Sequence, residues 1–280
     1  MNPAQHGTFA FTGLGGRRLF GRHCRVPSPR AIALIVHGYA EHSGRYLHVM
    51  DAFAARGIAS IAADHRGHGQ SGGTRGDLEA FAAVVEDQRR LLDRAAAPAE
   101  GLPLFAVGHS LGALVCLELT RRDNRVSGIV LSSAAVAVPP HIHPRSILLA
   151  RALSRVAPRL PIQRHFDPTR ATRDPAVQAQ MRADPLGYRG RIRARTGQQI
   201  LDAQARLSDV LPTIRTPALI CHGGQDPTIP VPAAAQLHAR LGSTDKELAV
   251  FPSLRHELHQ EPERDEVLGR WGVWMRRRTG

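Results

Sequence analysis

Along most of this chain, short and almost wholly apolar runs alternate with longer stretches of helical periodicity. The runs at residues 9–12, 18–24, 31–36, 58–62, 104–107, 129–131, 218–221 and 247–251 predict eight strands, because most are brief aliphatic blocks bounded by turn formers. The first two flank Gly15-Gly16 and read as a hairpin. Amphipathic stretches at 45–55, 77–96, 111–122, 231–241 and 263–277 predict helices between them. Such alternation requires a mainly parallel sheet, since a parallel neighbour is reached only through a crossover long enough to hold a helix. The predicted fold class is α/β, with a mostly parallel eight-stranded sheet flanked by helices.

The alternation fails between residues 136 and 204. There Pro139, Pro140, Pro144, Pro158, Pro161, Pro168, Pro175 and Pro185 punctuate short helical stretches, and no strand-like run appears. The expected organisation is a core of residues 1–135 and 205–280, with a helical cap inserted at 136–204. The first cap helix, at 146–156, puts Leu148, Leu149, Ala152, Leu153 and Val156 on an apolar arc roughly 140° wide, beside Arg151 and Arg155. Two readings of that stripe stand: it packs down onto the core, or it forms a lid that meets an acyl chain or a membrane surface. On the second reading Leu148, Leu149 and Leu153 are substrate-binding candidates.

Composition removes several function classes. The 37 Lys+Arg against 24 Asp+Glu leave a formal net charge of +13, but the arginines are spread along the whole chain, Lys246 is the only lysine and aromatics are 5%. That is a basic solvated surface, and no nucleic-acid partner is expected. Cys24, Cys116 and Cys221 have no regular spacing, so neither a disulfide framework nor a cysteine zinc site is expected. The first twenty residues lack the basic patch and apolar stretch of a secretory signal, and no apolar run approaches a membrane span; a cytoplasmic location is the expectation. The close histidine pairs His65/His68, His141/His143 and His256/His259 lack an i, i+4 helical spacing with an acidic partner, and no helix follows Gly13-Leu14-Gly15-Gly16. Neither a metal nor a dinucleotide cofactor is expected.

Gly-x-Ser-x-Gly occurs twice, around Ser71 and around Ser110, so context must separate the copies. Ser110 follows the run at 104–107 and opens the helical pattern at 111–122, giving strand, tight turn and helix: the nucleophile elbow of a hydrolase sheet. Ser71 lies deep in a loop with no helix starting at it. A serine hydroxyl needs a base to take its proton and an acid to orient that base, and on a sheet of this kind they follow in the order Ser, then Asp or Glu, then His. Asp226 ends a strand running into a Gly-rich loop, and His256 follows the last strand; His259 is the near competitor for the base. The oxyanion requires two amides, one from Leu111 and one from the loop after 31–36, which begins His37-Gly38-Tyr39; the Tyr39 N–H is the assignment.

Taken together, His37-Gly38-Tyr39-Ala40-Glu41-His42-Ser43-Gly44-Arg45-Tyr46, the Asp64–Ser71 loop, Gly108-His109-Ser110-Leu111-Gly112, Asp184-Pro185-Leu186 and His256-Glu257 resemble the α/β-hydrolase family. Within it the likeness is to the monoacylglycerol lipase and lysophospholipase-like serine hydrolases, and it spans nearly the whole chain. It implies the α/β-hydrolase fold, a Ser110, Asp226, His256 triad, an oxyanion hole from Tyr39 and Leu111, and a helical cap admitting one acyl chain of a small lipid ester. It also implies that Glu41 and Arg45 brace the oxyanion loop. The expected activity is hydrolysis of carboxylic esters, foremost monoacylglycerols, with peripheral membrane contact through the cap. A short-chain carboxylesterase, lysophospholipase or thioesterase would use the same triad, and a catalytically silent binder on this fold would be expected to lack a triad member.

Overall fold

The computed structural model of the chain describes residues 4–96, 101–138, 144–163 and 167–279. In chain order these form strands β1 (Gln5–Thr12), β2 (Arg18–Arg25) and β3 (Ala31–Val36), helix α1 (Leu47–Ala54), β4 (Ile58–Ala63), α2 (Phe81–Ala96), β5 (Leu104–His109), α3 (Leu111–Arg122) and β6 (Val126–Ser132). Next come α4 (Pro144–Val156), β7 (Pro161–Gln163), α5 (Pro168–Ala171), α6 (Pro175–Ala183), β8 (Ile192–Arg193) and α7 (Ala194–Val210). The chain ends with β9 (Ala218–Gly223), α8 (Val231–Arg240), β10 (Lys246–Phe251) and α9 (Arg264–Arg276).

The expected eight-stranded sheet is present, in the order β1-β2-β4-β3-β5-β6-β9-β10. The hairpin β1–β2 is antiparallel and joins antiparallel to β4, while every pairing from β4 to β10 is parallel. All six β3 residues are buried, and the period of two divides them between the faces. Ile32, Leu34 and Val36 join α2, α3 and α8; Ala31, Ala33 and Ile35 join α1 and α9, including Trp271 and Trp274. After β3 the chain turns outward to β4 and then returns to place β5 on the other side of β3, so the sheet reverses direction between β3 and β5. The carboxyl ends of strands flanking such a reversal leave a crevice that no connection crosses.

Three expectations needed correction. The stretch 45–55 divides into a 3₁₀ turn at Ser43–Tyr46 and α1, because His42 accepts the Gly44 amide and Asp64 accepts both the amide and the hydroxyl of Ser43. The stretch 77–96 becomes helical only at Phe81, since Arg195 holds the Asp77 carboxylate and Glu79 takes a left-handed φ of 58°. The stretch 136–204, where no strand-like run was expected, contains an antiparallel pair, β7 with β8. Strands of two and three residues are too short to show an alternation.

The long helix α7 runs unbroken through position 204. On α4 the apolar residues divide rather than share one face: Ile147, Leu149, Ala150 and Leu153 line the cavity, Leu149 while 61% exposed at its rim, whereas Leu148 (65%) and Val156 (81%) are exposed and do not line it. Residues 139–143 and 164–166, with the pair His141/His143, lie outside the described residues. Among the described residues no helix is long and apolar enough to cross a membrane.

Candidate active site

The strand β5 is buried throughout, so its carboxyl end is a rigid support, and α3 begins one residue after it ends. Ser110, the intervening residue, has φ 51° and ψ −113°, an unfavourable conformation for any side-chain-bearing residue. The turn is tight enough that a Cβ on Gly108 would lie 2.5 Å from the Gly112 carbonyl oxygen, and one on Gly112 only 2.0 Å from that of Val36. Glycine at both positions lets strand and helix close around Ser110. Its hydroxyl thereby stands at the amino end of α3, where unpaired amides and the helix dipole favour negative charge.

Asp226 and His256 reach the same point from the far end of the sheet. Asp226 follows β9; its Oδ1 accepts the amides of Thr228 (2.7 Å) and Ile229 (3.0 Å), which leaves Oδ2 to accept a hydrogen bond from His256 Nδ1 at 2.7 Å. A carboxylate can only accept, so the Nδ1–H tautomer is set and Nε2 is left as an acceptor. That nitrogen lies 3.0 Å from Ser110 Oγ. Burial works against ionisation of the His256 ring, but the facing Asp226 charge, with Glu257 and Glu41 beyond it, outweighs burial and leaves its pKa above 6.5. Burial likewise opposes the Asp226 charge, and His256 with the two amides overcomes it, holding the carboxyl below its usual value.

Tyr39, Ser110 and Leu111 all line one cavity, at the carboxyl ends of β3 and β5 where the sheet reverses. The Tyr39 ring is tied down by donation from Oη to the Gly76 carbonyl at 2.9 Å, and the next residue, Ala40, has φ 71°. That left-handed residue is held from the segment after α6, since the Tyr188 amide donates to the Ala40 carbonyl at 2.9 Å and His42 pairs with Asp184 at 2.8 Å. Glu41 is buried, accepts from Tyr46 Oη at 2.8 Å and approaches His109 Nε2 at 3.5 Å; Arg45 donates to Glu257 at 2.6 Å. Burial, followed by the proximity of Glu257, raises the Glu41 carboxyl well above the ordinary carboxylate range.

Glu257, His109 and the Asp184–His42 pair were not singled out as bracing residues from the sequence. Pairs separated by 142 and 212 residues leave no local pattern to read.

The remaining candidates are placed elsewhere. Ser71 is buried in its loop, its hydroxyl donating to the Asp64 carbonyl at 2.6 Å and accepting the Phe20 amide at 2.9 Å, so both hydrogen-bonding roles are filled. His259, the competitor base, is fully buried and stacked on Tyr46, with ring centroids 4.6 Å apart. His65 bonds the main chain at His37 and His68 that at Arg66. Among the described residues two groups bring metal-type donors together: His6, Cys24 and Asp51, and Glu41, His109 and Glu257. In the first, His6 already pairs with Asp51 at 2.6 Å, and in the second the carboxylates are bonded by Arg45 and Tyr46.

Above Ser110 opens a cavity of about 630 Å³. Its walls include Leu149 and Leu153 of α4 but not Leu148, together with Ile162, Ile200 and Leu201. Polar groups, among them Glu41, Arg45 and Glu257, line it beside Ser110 and His256. A hydroxyl bonded to an imidazole, a carboxylate on that ring's other nitrogen, a helix start at the hydroxyl and an apolar chamber suit acyl transfer.

The family model described as serine aminopeptidase, S33 matches residues 27–263. The chain is 35% identical over 268 residues to a monoacylglycerol lipase of Mycolicibacterium smegmatis, covering 95% of each. It is 32% identical over 269 residues to human monoglyceride lipase, covering 94% of this chain and 88% of that one. Among solved structures, the monoacylglycerol lipase of Paleococcus ferrophilus superposes with a TM-score of 0.80 at 26% identity, covering 99% of both chains.

Proposed function

We propose, from the premise that this chain belongs to the serine aminopeptidase S33 family and is an α/β-hydrolase of the monoacylglycerol lipase type, that it hydrolyses monoacylglycerols through an acyl-enzyme on Ser110. The observation that carries the reading is the hydrogen-bonded chain Asp226, His256, Ser110, at 2.7 and 3.0 Å, opening onto an apolar chamber. His256 Nε2 takes the Ser110 proton as Oγ attacks the ester carbonyl. The amides of Tyr39 and Leu111 hold the oxyanion, an interaction worth about 3–4 kcal/mol per donor in such sites. The C–O bond then breaks, glycerol leaves with the proton from His256, and water repeats the sequence on the acyl-enzyme. Asp226 stays ionised throughout and stabilises the imidazolium. Residues 136–204 act as the cap of this chamber over the core of 1–135 and 205–280.

The test is a substrate panel on the purified chain. Monoacylglycerols are expected to be cleaved with higher kcat/KM than short p-nitrophenyl esters, acyl thioesters or aminoacyl p-nitroanilides. Preference for any of those three over monoacylglycerols overturns the assignment.

Peripheral membrane contact is the second part of the reading, supported by the outer side of α4. Leu148 and Val156 project there among Arg151 and Arg155, an apolar strip edged by cations. Each large aliphatic side chain entering a membrane contributes about 1.5–3 kcal/mol. The chain is expected to co-sediment with anionic vesicles and Leu148→Ser with Val156→Ser to release it; neither residue lines the cavity. No binding by the parent, or undiminished binding by the double variant, overturns the contact.

A further inference from the structure

We propose that Gly197, on the cavity side of α7, sets the acyl-chain length accepted by this site, together with Ile162 of β7 and Ile192 of β8. The inference rests on the ester-hydrolase reading above. Gly197, Ile200, Leu201 and Gln204 all line the cavity, with the i, i+3, i+4, i+7 spacing of one helix face. At one end of that face Gln204 Nε2 donates to the carbonyls of Ala135 (2.8 Å) and Ala137 (3.2 Å). The Ala135 amide in turn donates to the Ser110 carbonyl at 3.2 Å, which fixes that end of α7 to the nucleophile. Gly197 lies seven residues back along the helix, about 10 Å at 1.5 Å per residue. The face is a ruler whose zero is at Ser110.

At the far mark of that ruler a side chain is missing. A Cβ on Gly197 would lie 3.6 Å from both Ile162 Cδ1 and Ile192 Cγ2, an ordinary contact. Packing therefore does not demand glycine, its φ lies outside the left-handed region, and inside a helix glycine costs stability relative to alanine. What glycine leaves here is volume at the cavity wall. The two isoleucines are held by the β7–β8 pairing and by donation from the Ala194 amide to the Leu160 carbonyl at 2.8 Å. A larger side chain at 197 would have to push that small sheet aside or extend into the chamber. Each methylene of a substrate that loses its apolar wall weakens binding by about fourfold.

The experiment measures kcat/KM for monobutyrin, monolaurin and monopalmitin, with melting temperature alongside. Gly197→Leu is expected to lower the rate on the longest ester the parent accepts by about tenfold or more while changing monobutyrin by less than about twofold. Gly197→Ala is expected to raise the melting temperature by about 1–4 °C while shifting preference toward shorter chains, which separates the effect from damage to the fold. Ile162→Ala should shift preference toward longer chains. Equal losses across the three esters in Gly197→Leu, or an unchanged length profile, overturn the role of Gly197 and leave the ester reading standing. Absence of hydrolysis of all three esters by the parent overturns that reading and this inference with it.

Discussion

Ser110→Ala is expected to lower ester hydrolysis by about a millionfold and to abolish labelling by a fluorophosphonate probe, with the melting temperature little changed. Alanine removes only the hydroxyl, and residue 110 keeps its place between β5 and α3 because Gly108 and Gly112 set the turn. Any residual rate would come from the amides and the chamber acting on bound water. Ser71→Ala is the matched control, since the second Gly-x-Ser-x-Gly copy has its hydroxyl committed to Asp64 and Phe20. That variant should lose about 1–3 kcal/mol of stability and still be labelled. Labelling that survives in Ser110→Ala, or disappears in Ser71→Ala at a temperature where the protein remains folded, would transfer the nucleophile elsewhere.

Asp226→Asn should lower kcat by about 10³–10⁴-fold and also move the pH profile. Only neutral His256 can accept the serine proton, so kcat/KM falls as pH drops through its pKa. With Asp226 present that pKa lies above 6.5, and the acid limb of the parent should have its midpoint above 6.5. Asparagine removes the principal charge raising the pKa while burial of the ring continues to lower it, so the limb should move to lower pH. A kcat/KM profile whose midpoint stays in place after the substitution would mean that another group, not the Asp226–His256 pair, controls the proton. Loss of the rate with no change in KM would mark the effect as one on chemistry rather than binding.

Local signals in this chain were strong wherever one element carried its own periodicity. The β3 run is fully apolar because both of its faces are buried, and such a run remains legible without any knowledge of its partners. The ends of α8 and α9 were found within about two residues for the same reason. The elbow was legible because glycine, serine and glycine at fixed spacing answer a steric demand confined to five consecutive residues. The cap was harder. Its hydrophobic stripe at 146–156 was one set in the sequence and two in the structure, as α4 meets the chamber on one side and solvent on the other. Nothing in helical spacing tells which apolar residues of such a helix find a cover.

The chain by itself determined the alternating α/β plan and the serine at a strand-to-helix turn, because both follow from backbone sterics or short-range periodicity. Only the tertiary structure decided which histidine faces Ser110, which carboxylate Arg45 bonds, how Asp184 and Tyr188 hold the loop at Ala40, and how far α7 extends past Ser110. Those pairings join residues from 30 to more than 200 positions apart. Their energies exist only once the sheet has brought the residues together, and neighbouring amino acids carry no imprint of them.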